Sequence, residues 1–358
     1  MKEIGSEFYN IIQNSELLNN FKNNDNTLYT ISGRTAINFI LKNINISEGI
    51  VYMPSYCCES MIIPFLENKY KILFYNIFIQ NGKLKYNIDT NIKCDVFFAM
   101  SYFGFTSTNM DIYIKEFNNK NIIVIEDITH RLLCDNSYCK YSDYIVASIR
   151  KWIPIYTGGV AISLNNKFLL NKENYQTNSK LVLLRKKAMN LKRNYIIEKI
   201  ECKKKYLYLF DVTNNMFKDC SIKLMDNESL NILNKTNIEQ IKKIRKNNAK
   251  IIIDKIKENP NVELLCEYEK SDCPLFVPVI LKNVNINKLK EKLIDNSIYL
   301  PTHWPKSKYI TTNISDIIYY SELSLVCDQR YNKEEIINYI DTFLKIVSRC
   351  KYEWYLFW

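Results

Sequence analysis

The chain has 358 residues, of which 47% are hydrophobic, 13% aromatic and 24% charged, an ordinary globular composition that excludes disordered, collagen-like and low-complexity classes. No apolar run approaches the roughly 18 residues of a membrane helix, and the polar start MKEIGSEFYN lacks the basic-then-apolar order of a secretory leader, so a soluble, cytosolic protein of about two domains is expected. The excess of 49 Lys and Arg over 38 Asp and Glu leaves a net +11, but without RNP-like aromatics or finger spacing this charge does not make a nucleic-acid binder.

In chain order, the first signal is Ser32-Gly33-Arg34-Thr35 ahead of the helical run AINFILKNI. A small polar cap followed by glycine presents free N–H groups and the positive end of a helix dipole, which suits a phosphate; a plain N-cap has the same pattern. Short apolar runs then recur: IVYM (50–53), KILFY (71–75), CDVFFAM (94–100), NIIVI (121–125), SDYIVAS (142–148) and GVAIS (159–163). Segments with helical spacing lie between most of them, so the pattern predicts a largely parallel sheet covered by helices. From about 170 to 260 the reading is mostly helical, including 238–256. Its cationic stretch from Arg185 to Lys205 is expected to be a solvated face. The remainder mixes strands (VELLC, LFVPVIL) with helices (INKLKEKLI, KEEIINYIDTFLKIV). The expected fold class is therefore α/β, with a large domain over 1–235 and a smaller α+β domain over 236–358, on which residues 1–25 are candidates to pack. The aromatic end EWYLFW (353–358) reads as a packing plug. Eleven scattered cysteines, with no CxxC and only two histidines in the chain, read as reduced thiols rather than a metal site.

Glycine is sparse, with seven in the whole chain, and Gly33, Gly104 and the pair Gly158-Gly159 sit beside strand ends or helix starts. That is where ligands bind in open α/β sheets. Glu126-Asp127 closes the strand NIIVI, with His130 shortly after. A carboxylate there faces the ligand crevice, or else caps the next helix. Lys151, in SIRKW at the end of the following strand, is either an amine nucleophile in an apolar setting or a lysine reaching out to solvent. Phosphate cradle, strand-end acid and strand-end lysine in this order are the equipment for pyridoxal phosphate (PLP).

With these motifs the chain resembles the fold-type I, aspartate-aminotransferase-like PLP enzymes, and among them the DegT/DnrJ/EryC1/StrS aminotransferases of amino-sugar and polysaccharide pathways. The similar segments are SGRTAINFIL (32–41), VYMPSYCCESMIIPFLENKYKILFYNI (51–77), DVFFAMSYFGF (95–105), VIEDITH (124–130), ASIRKWIPIYTGGVAIS (147–163), PTHWP (301–305) and CDQRYNKEEI (327–336). The resemblance implies that Lys151 links covalently to the cofactor and moves the substrate proton, that Asp127 keeps the pyridine nitrogen protonated, and that His130 lies near the phenolic oxygen. It places Gly33, Arg34 and Thr35 at the phosphate, with Ser148 as a second phosphate ligand. His303 and Tyr102 become candidates for the substrate side.

Three departures stand out. Ser148 is three residues before the lysine instead of five. The position of the aromatic ring that stacks on the cofactor falls on Cys58, with Tyr56 as the alternative. The glycine-rich loop after the lysine is reduced to Tyr156-Thr157-Gly158-Gly159. Retention of Lys151 separates the chain from the related sugar dehydratases, which carry histidine there. The implied function is transfer of an amino group from glutamate to a keto-sugar nucleotide or similar precursor. The implied assembly is a homodimer whose partner subunit completes the phosphate site, from a region near Tyr206 or Arg245. A PLP-dependent lyase and a non-catalytic scaffold of the same fold are the alternatives. For a substrate carboxylate, Arg34, Arg131, Arg150 and Arg330 are unranked candidates.

Overall fold

The computed structural model describes residues 3–11 and 16–350; the expected plug at 353–358 lies outside them. Its main element is an eight-stranded sheet. In spatial order the strands are Thr27–Thr30, Gly159–Ser163, Tyr144–Ala147, Ile123–Asp127, Val96–Met100, Ile50–Pro54, Lys71–Gln80 and Lys83–Asn87. The run from Tyr144–Ala147 to Lys71–Gln80 is parallel, and the outer strands join by antiparallel pairing. Val96–Met100 is buried at every position, as an unbroken apolar strand must be when both sheet faces are covered. The strand expected to end at Tyr75 runs on to Gln80. It turns through Asn81 and Gly82, both at positive φ (51° and 72°), into Lys83–Asn87. Such a two-residue turn matches the twist of a hairpin. Thr27–Thr30 and Glu322–Leu325 are too short to show a pattern in the sequence.

A three-stranded antiparallel sheet of Val262–Leu264, Val277–Leu281 and Glu322–Leu325 forms a second core with the helices Ile238–Ile256, Ile286–Asp295 and Lys333–Ser348. Val279, Leu323, Ile340 and Phe343 are wholly buried there. Ile4 joins this core, because Ile4–Gly5 pairs in parallel with Ile298–Tyr299. The last helix opens with a reciprocal cap, in which Asn332 accepts from the Glu335 N–H and the Glu335 carboxylate accepts from the Asn332 N–H. Asn332→Ala is expected to cost about 1 kcal/mol, read as a lower urea midpoint at unchanged slope.

One expectation is corrected by packing. The cationic stretch is not uniformly solvated: Arg185 and Lys192, on the helix Ser179–Ile196, are 4% and 1% exposed. Acids of the N-terminal segment draw them inward. Arg185 pairs with Glu7 at 2.6 Å, and Lys192 pairs with Glu3 at 3.6 Å while donating to the Glu7 carbonyl. Tyr206 and Arg245, the expected surroundings of a partner-contributed phosphate contact, are both buried within their own chain. The Arg245 guanidinium lies 4.7 Å over the Trp152 ring, donates from Nε to Gln329 at 2.9 Å and reaches the Leu275 carbonyl. The eleven cysteines form no disulfide, and most are buried. Among the described residues no helix is long and apolar enough to cross a membrane. No group of three or more His, Cys, Asp or Glu side chains among them converges to hold a metal ion.

Candidate active site

Three neighbouring parallel strands end level with one another. Met100 pairs with Asp127, and Asp127 with Val146, so the residues that follow all open on the carboxyl edge of the sheet. Asp127, 6% exposed, accepts the Thr129 N–H on Oδ1 at 2.8 Å. Beyond Ala147 the chain makes a tight turn, Ile149–Lys151, which brings Lys151 to the same edge. Two bonds tie that turn to the Asp127 loop: the Ser148 N–H donates to Thr129 Oγ1 at 2.9 Å, and Trp152 Nε1–H donates to the Thr129 carbonyl at 2.6 Å. Trp152 has no exposed surface, so burial of a large ring anchors the turn that carries the lysine.

The helix Gly33–Ile44 aims its N-terminus at this turn. Ser32 caps it by accepting the Thr35 N–H at 3.3 Å, and no acidic residue occupies the first turn. A Cβ on Gly33 would stand 3.3 Å from Ser148 Cβ, which shows how closely helix start and strand end approach. The positive end of the helix dipole is thereby left facing the edge where Lys151 lies.

Between these elements is a cavity of about 270 Å³, with Gly33, Arg34, Asp127, His130, Ser148 and Lys151 on its wall. Asn214, Phe217 and Lys218, from the end of the helix Lys203–Met216 and the residues after it, close one side. Burial raises the Asp127 carboxyl above its ordinary range, against the opposing pull of its bonds to Thr129 and of nearby Lys151. Burial, aided by Lys151 and His303, pushes the His130 imidazole well below its usual value, so the ring is neutral. Its Nδ1 accepts the Phe103 N–H at 3.0 Å, which leaves the hydrogen on Nε2. That buried N–H has no partner. Arg150 Nε is likewise unpartnered, with the guanidinium 4.3 Å over the Phe217 ring. Burial lowers Arg150 to about 10, with Arg185 and Arg34 adding to the effect and Glu7 opposing it. Unpartnered buried donors are costly unless an acceptor arrives. The cavity is thus built for a ligand with anionic and acceptor groups. A larger cleft of about 650 Å³ shares Arg150 and Lys151 and continues past Glu7, Tyr299 and His303.

Of the residues expected from the sequence, Lys151, Asp127, His130, Ser148, Gly33, Arg34 and Cys58 meet at the cavity wall. Four others are placed differently. Thr35 is fully buried, with its hydroxyl 3.1 Å from Ser32 Oγ, inside the cap. Tyr56 and Tyr102 have no exposed surface. Their rings stack on one another at 5.4 Å, and the Tyr102 hydroxyl donates to the Tyr56 carbonyl at 2.5 Å. They belong to an aromatic layer behind the cavity, with Tyr319 and Trp304, because large rings gain more by burial than by facing an aqueous cavity. Cys58, not Tyr56, reaches the cavity. His303 faces the larger cleft. Among the arginines, Arg131 is held within the fold by the Asn136 carbonyl and Ser101, and Arg330 pairs with Asp328 at 2.7 Å. Arg34 and Arg150 are the two that reach the cavity. Thr129, Asn214 and Lys218 were missed. Thr129 had a signal in its place between Asp127 and His130, whereas Asn214 and Lys218 had none.

By sequence, no family model and no curated protein matches the chain. By structure, the chain is similar to Helicobacter pylori PseC, an aminotransferase involved in the biosynthesis of pseudoaminic acid. The TM-score is 0.64 at 16% identity, over 90% of this chain and 87% of that one. It is also similar to NtdA from Bacillus subtilis with bound cofactor PMP, with a TM-score of 0.62 at 15% identity over 90% and 73% of the two chains. DesI, whose structure was determined in the presence of its TDP-sugar product, gives 0.64 at 12% identity over 90% and 81%. The chain has the fold-type I architecture of PLP-dependent aminotransferases.

Proposed function

We propose that the chain is a PLP-dependent aminotransferase that moves an amino group from glutamate to a keto-sugar nucleotide or a related polysaccharide precursor. The observation that carries this reading is the convergence of Lys151, Asp127 and the unpartnered Nε2–H of His130 on one cavity closed by the N-terminus of the helix Gly33–Ile44. The donor set fits the cofactor. Arg34, Arg150, Ser148 and the helix start form a cationic cup for a phosphate, Asp127 is a carboxylate for a ring nitrogen, and His130 offers one hydrogen bond to a ring oxygen. The structures of NtdA with PMP and DesI with a TDP-sugar support the same reading.

When bound, PLP supplies an electron sink for a carbanion beside the amino group. The protein does the rest. Lys151 provides the amine that holds the cofactor and then carries the proton between substrate and cofactor carbons. Asp127, set by Thr129, holds a positive ring N–H. Lys151 and Arg150 stand where the cavity meets the larger cleft, so the acceptor enters from the side of His303 and Tyr299. A homodimer is supported by Leu183, Leu207 and Tyr208, apolar side chains left 66%, 47% and 68% exposed on the two packed helices Ser179–Ile196 and Lys203–Met216. Eleven thiols without a disulfide support a reducing compartment, the cytosol.

The test is the absorption spectrum of purified protein supplied with PLP, before and after addition of L-glutamate. A band near ~420 nm that gives way to one near ~330 nm is expected, and Lys151→Ala should lack the first band. A band that ignores glutamate and other amino donors points to lyase chemistry. Failure to bind the cofactor at all overturns the catalytic reading in favour of a scaffold.

A further inference from the structure

We infer that Glu322, Ser324 and His303 form a proton relay that ends in the cleft beside Lys151 and decides which ring nitrogen of His303 carries the hydrogen. Glu322 and Ser324 face the same side of the strand Glu322–Leu325, and neither has exposed surface. The His303 backbone N–H donates to Glu322 Oε2 at 2.7 Å, which fixes the carboxyl. Its other oxygen, Oε1, lies 2.5 Å from Ser324 Oγ, and Ser324 Oγ lies 2.7 Å from His303 Nδ1. His303 is itself 7% exposed and stands on the wall of the larger cleft with Lys151. Phe103, Phe276 and Trp304 surround its ring at 5.0–5.4 Å, so the imidazole has one polar route inward, through Ser324, and one outward, into the cleft.

A serine hydroxyl has one hydrogen, so the chain of bonds has two complete arrangements. With Glu322 ionised, Ser324 donates to Glu322, His303 Nδ1–H donates to Ser324, and Nε2 is left as a lone pair. When Nε2 takes a proton from a group in the cleft, the Nδ1 hydrogen passes to Ser324 and the serine hydrogen passes to Glu322. The imidazole is neutral before and after, and one proton has moved from the cleft to the carboxylate. The reverse sequence returns it.

The electrostatic surroundings leave the carboxyl able to exchange. Burial raises Glu322 to about 8, against Ser324, the His303 N–H and Lys290 of the helix Ile286–Asp295. The hydroxyl of Tyr56 and the thiol of Cys266 also feel its charge. Burial, with Lys151, lowers His303 to about 3, so it stays neutral, and the other imidazole, His130, lies with its centroid 5.4 Å away. A raised carboxyl is protonated below about 8 and ionised above it, so the Nε2–H form of His303 belongs to the lower range and the Nδ1–H form to the higher one.

The bonds of the relay stand on hydrogen-bond geometry, and the pH at which it exchanges follows from the burial of Glu322. Its use as the proton store for substrate beside Lys151 rests on the aminotransferase reading, and the experiment separates the two. The chain has only two histidines, so protein labelled with 15N at histidine gives two imidazoles, and His130→Gln assigns them. In wild-type protein without cofactor, His303 should exchange its protonated and lone-pair nitrogens between about pH 6 and 9.5, with a midpoint near 8, while His130 keeps its hydrogen on Nε2. Glu322→Gln keeps its oxygen on the His303 N–H and turns its NH₂ to Ser324, so it should hold His303 in the Nε2–H form at every pH. Ser324→Ala should abolish the exchange. With PLP and L-glutamate, Glu322→Gln should bind the cofactor as wild type does but slow the half-reaction by about 10–100-fold above the midpoint. A His303 tautomer that never changes in wild-type protein, or one unaltered by Glu322→Gln, overturns the relay. An intact exchange with an unchanged half-reaction rate removes its catalytic use, and an intact exchange in a protein that binds no PLP overturns the aminotransferase reading alone.

Discussion

Asp127→Asn is expected to slow the L-glutamate half-reaction by about 10²–10³-fold while leaving the ~420 nm band in place. Asp127 is the carboxylate on a cavity wall that otherwise carries Arg34, Arg150, Lys151 and Lys218, so the substitution removes the negative charge that holds a protonated ring nitrogen. Asparagine keeps an oxygen for the Thr129 N–H, which Oδ1 accepts at 2.8 Å, and it is neutral in a site where burial already disfavours charge. The fold and the covalent link through Lys151 should therefore survive, and the loss should fall on the chemical step. Stopped-flow absorption separates these: a normal band with slow decay is the expected result, and decay within about threefold of wild type would sink the assigned role of Asp127.

Gly159→Ala should have the largest effect on architecture. A Cβ there would lie 2.2 Å from both the carbon and the oxygen of the Ser32 carbonyl and 2.7 Å from the Gly33 nitrogen. All three are backbone atoms at the start of the helix Gly33–Ile44, and Gly159 pairs with Thr30 across the sheet, so neither side can yield without moving the helix start. A loss of about 3 kcal/mol or more is expected, together with at least about tenfold weaker PLP binding. The neighbouring Gly158→Ala is the control. Its closest contact, at 2.5 Å, is Ile155 Cδ1, the far end of a side chain that can rotate, and the nearest backbone atom is Arg150 N at 3.3 Å, so it should cost clearly less. Urea unfolding and PLP titration of both variants decide the matter, and equal effects would remove the argument that the close approach at Gly159 shapes the phosphate cup.

Much of the molecule was legible before folding was considered. The alternation of apolar strands with helical segments over 50–163 determined an α/β sheet, since unbroken apolar runs such as Val96–Met100 are stable only when covered on both faces. The positions of Asp127 and Lys151 followed as well, because Asp127 ends one strand and Lys151 sits in the turn just after the next, and both strands are set by local pattern. Ser32 and Gly33 marked a helix start for the same reason. The hairpin at Asn81-Gly82 has its local signal too, in its turn residues.

The tertiary structure decided which side chains face the ligand. Tyr56 and Tyr102 sit in segments that run to the site, yet each is drawn into the aromatic layer with Tyr319 and Trp304. Arg185 and Lys192 look like solvent-facing cations until Glu7, 178 residues from Arg185 in sequence, and Glu3 turn them inward. Asn214, on a helix with no motif, and Lys218, just past its end, line the cavity, and the Glu322–Ser324–His303 chain joins a loop to a strand across residues distant in sequence from the rest of the site. The physical reason is the same throughout. Backbone preference and apolar period are properties of a few neighbouring residues, and so are visible in sequence. The environment that buries a ring, pairs a charge or completes a hydrogen bond is assembled from residues that meet only in the folded chain.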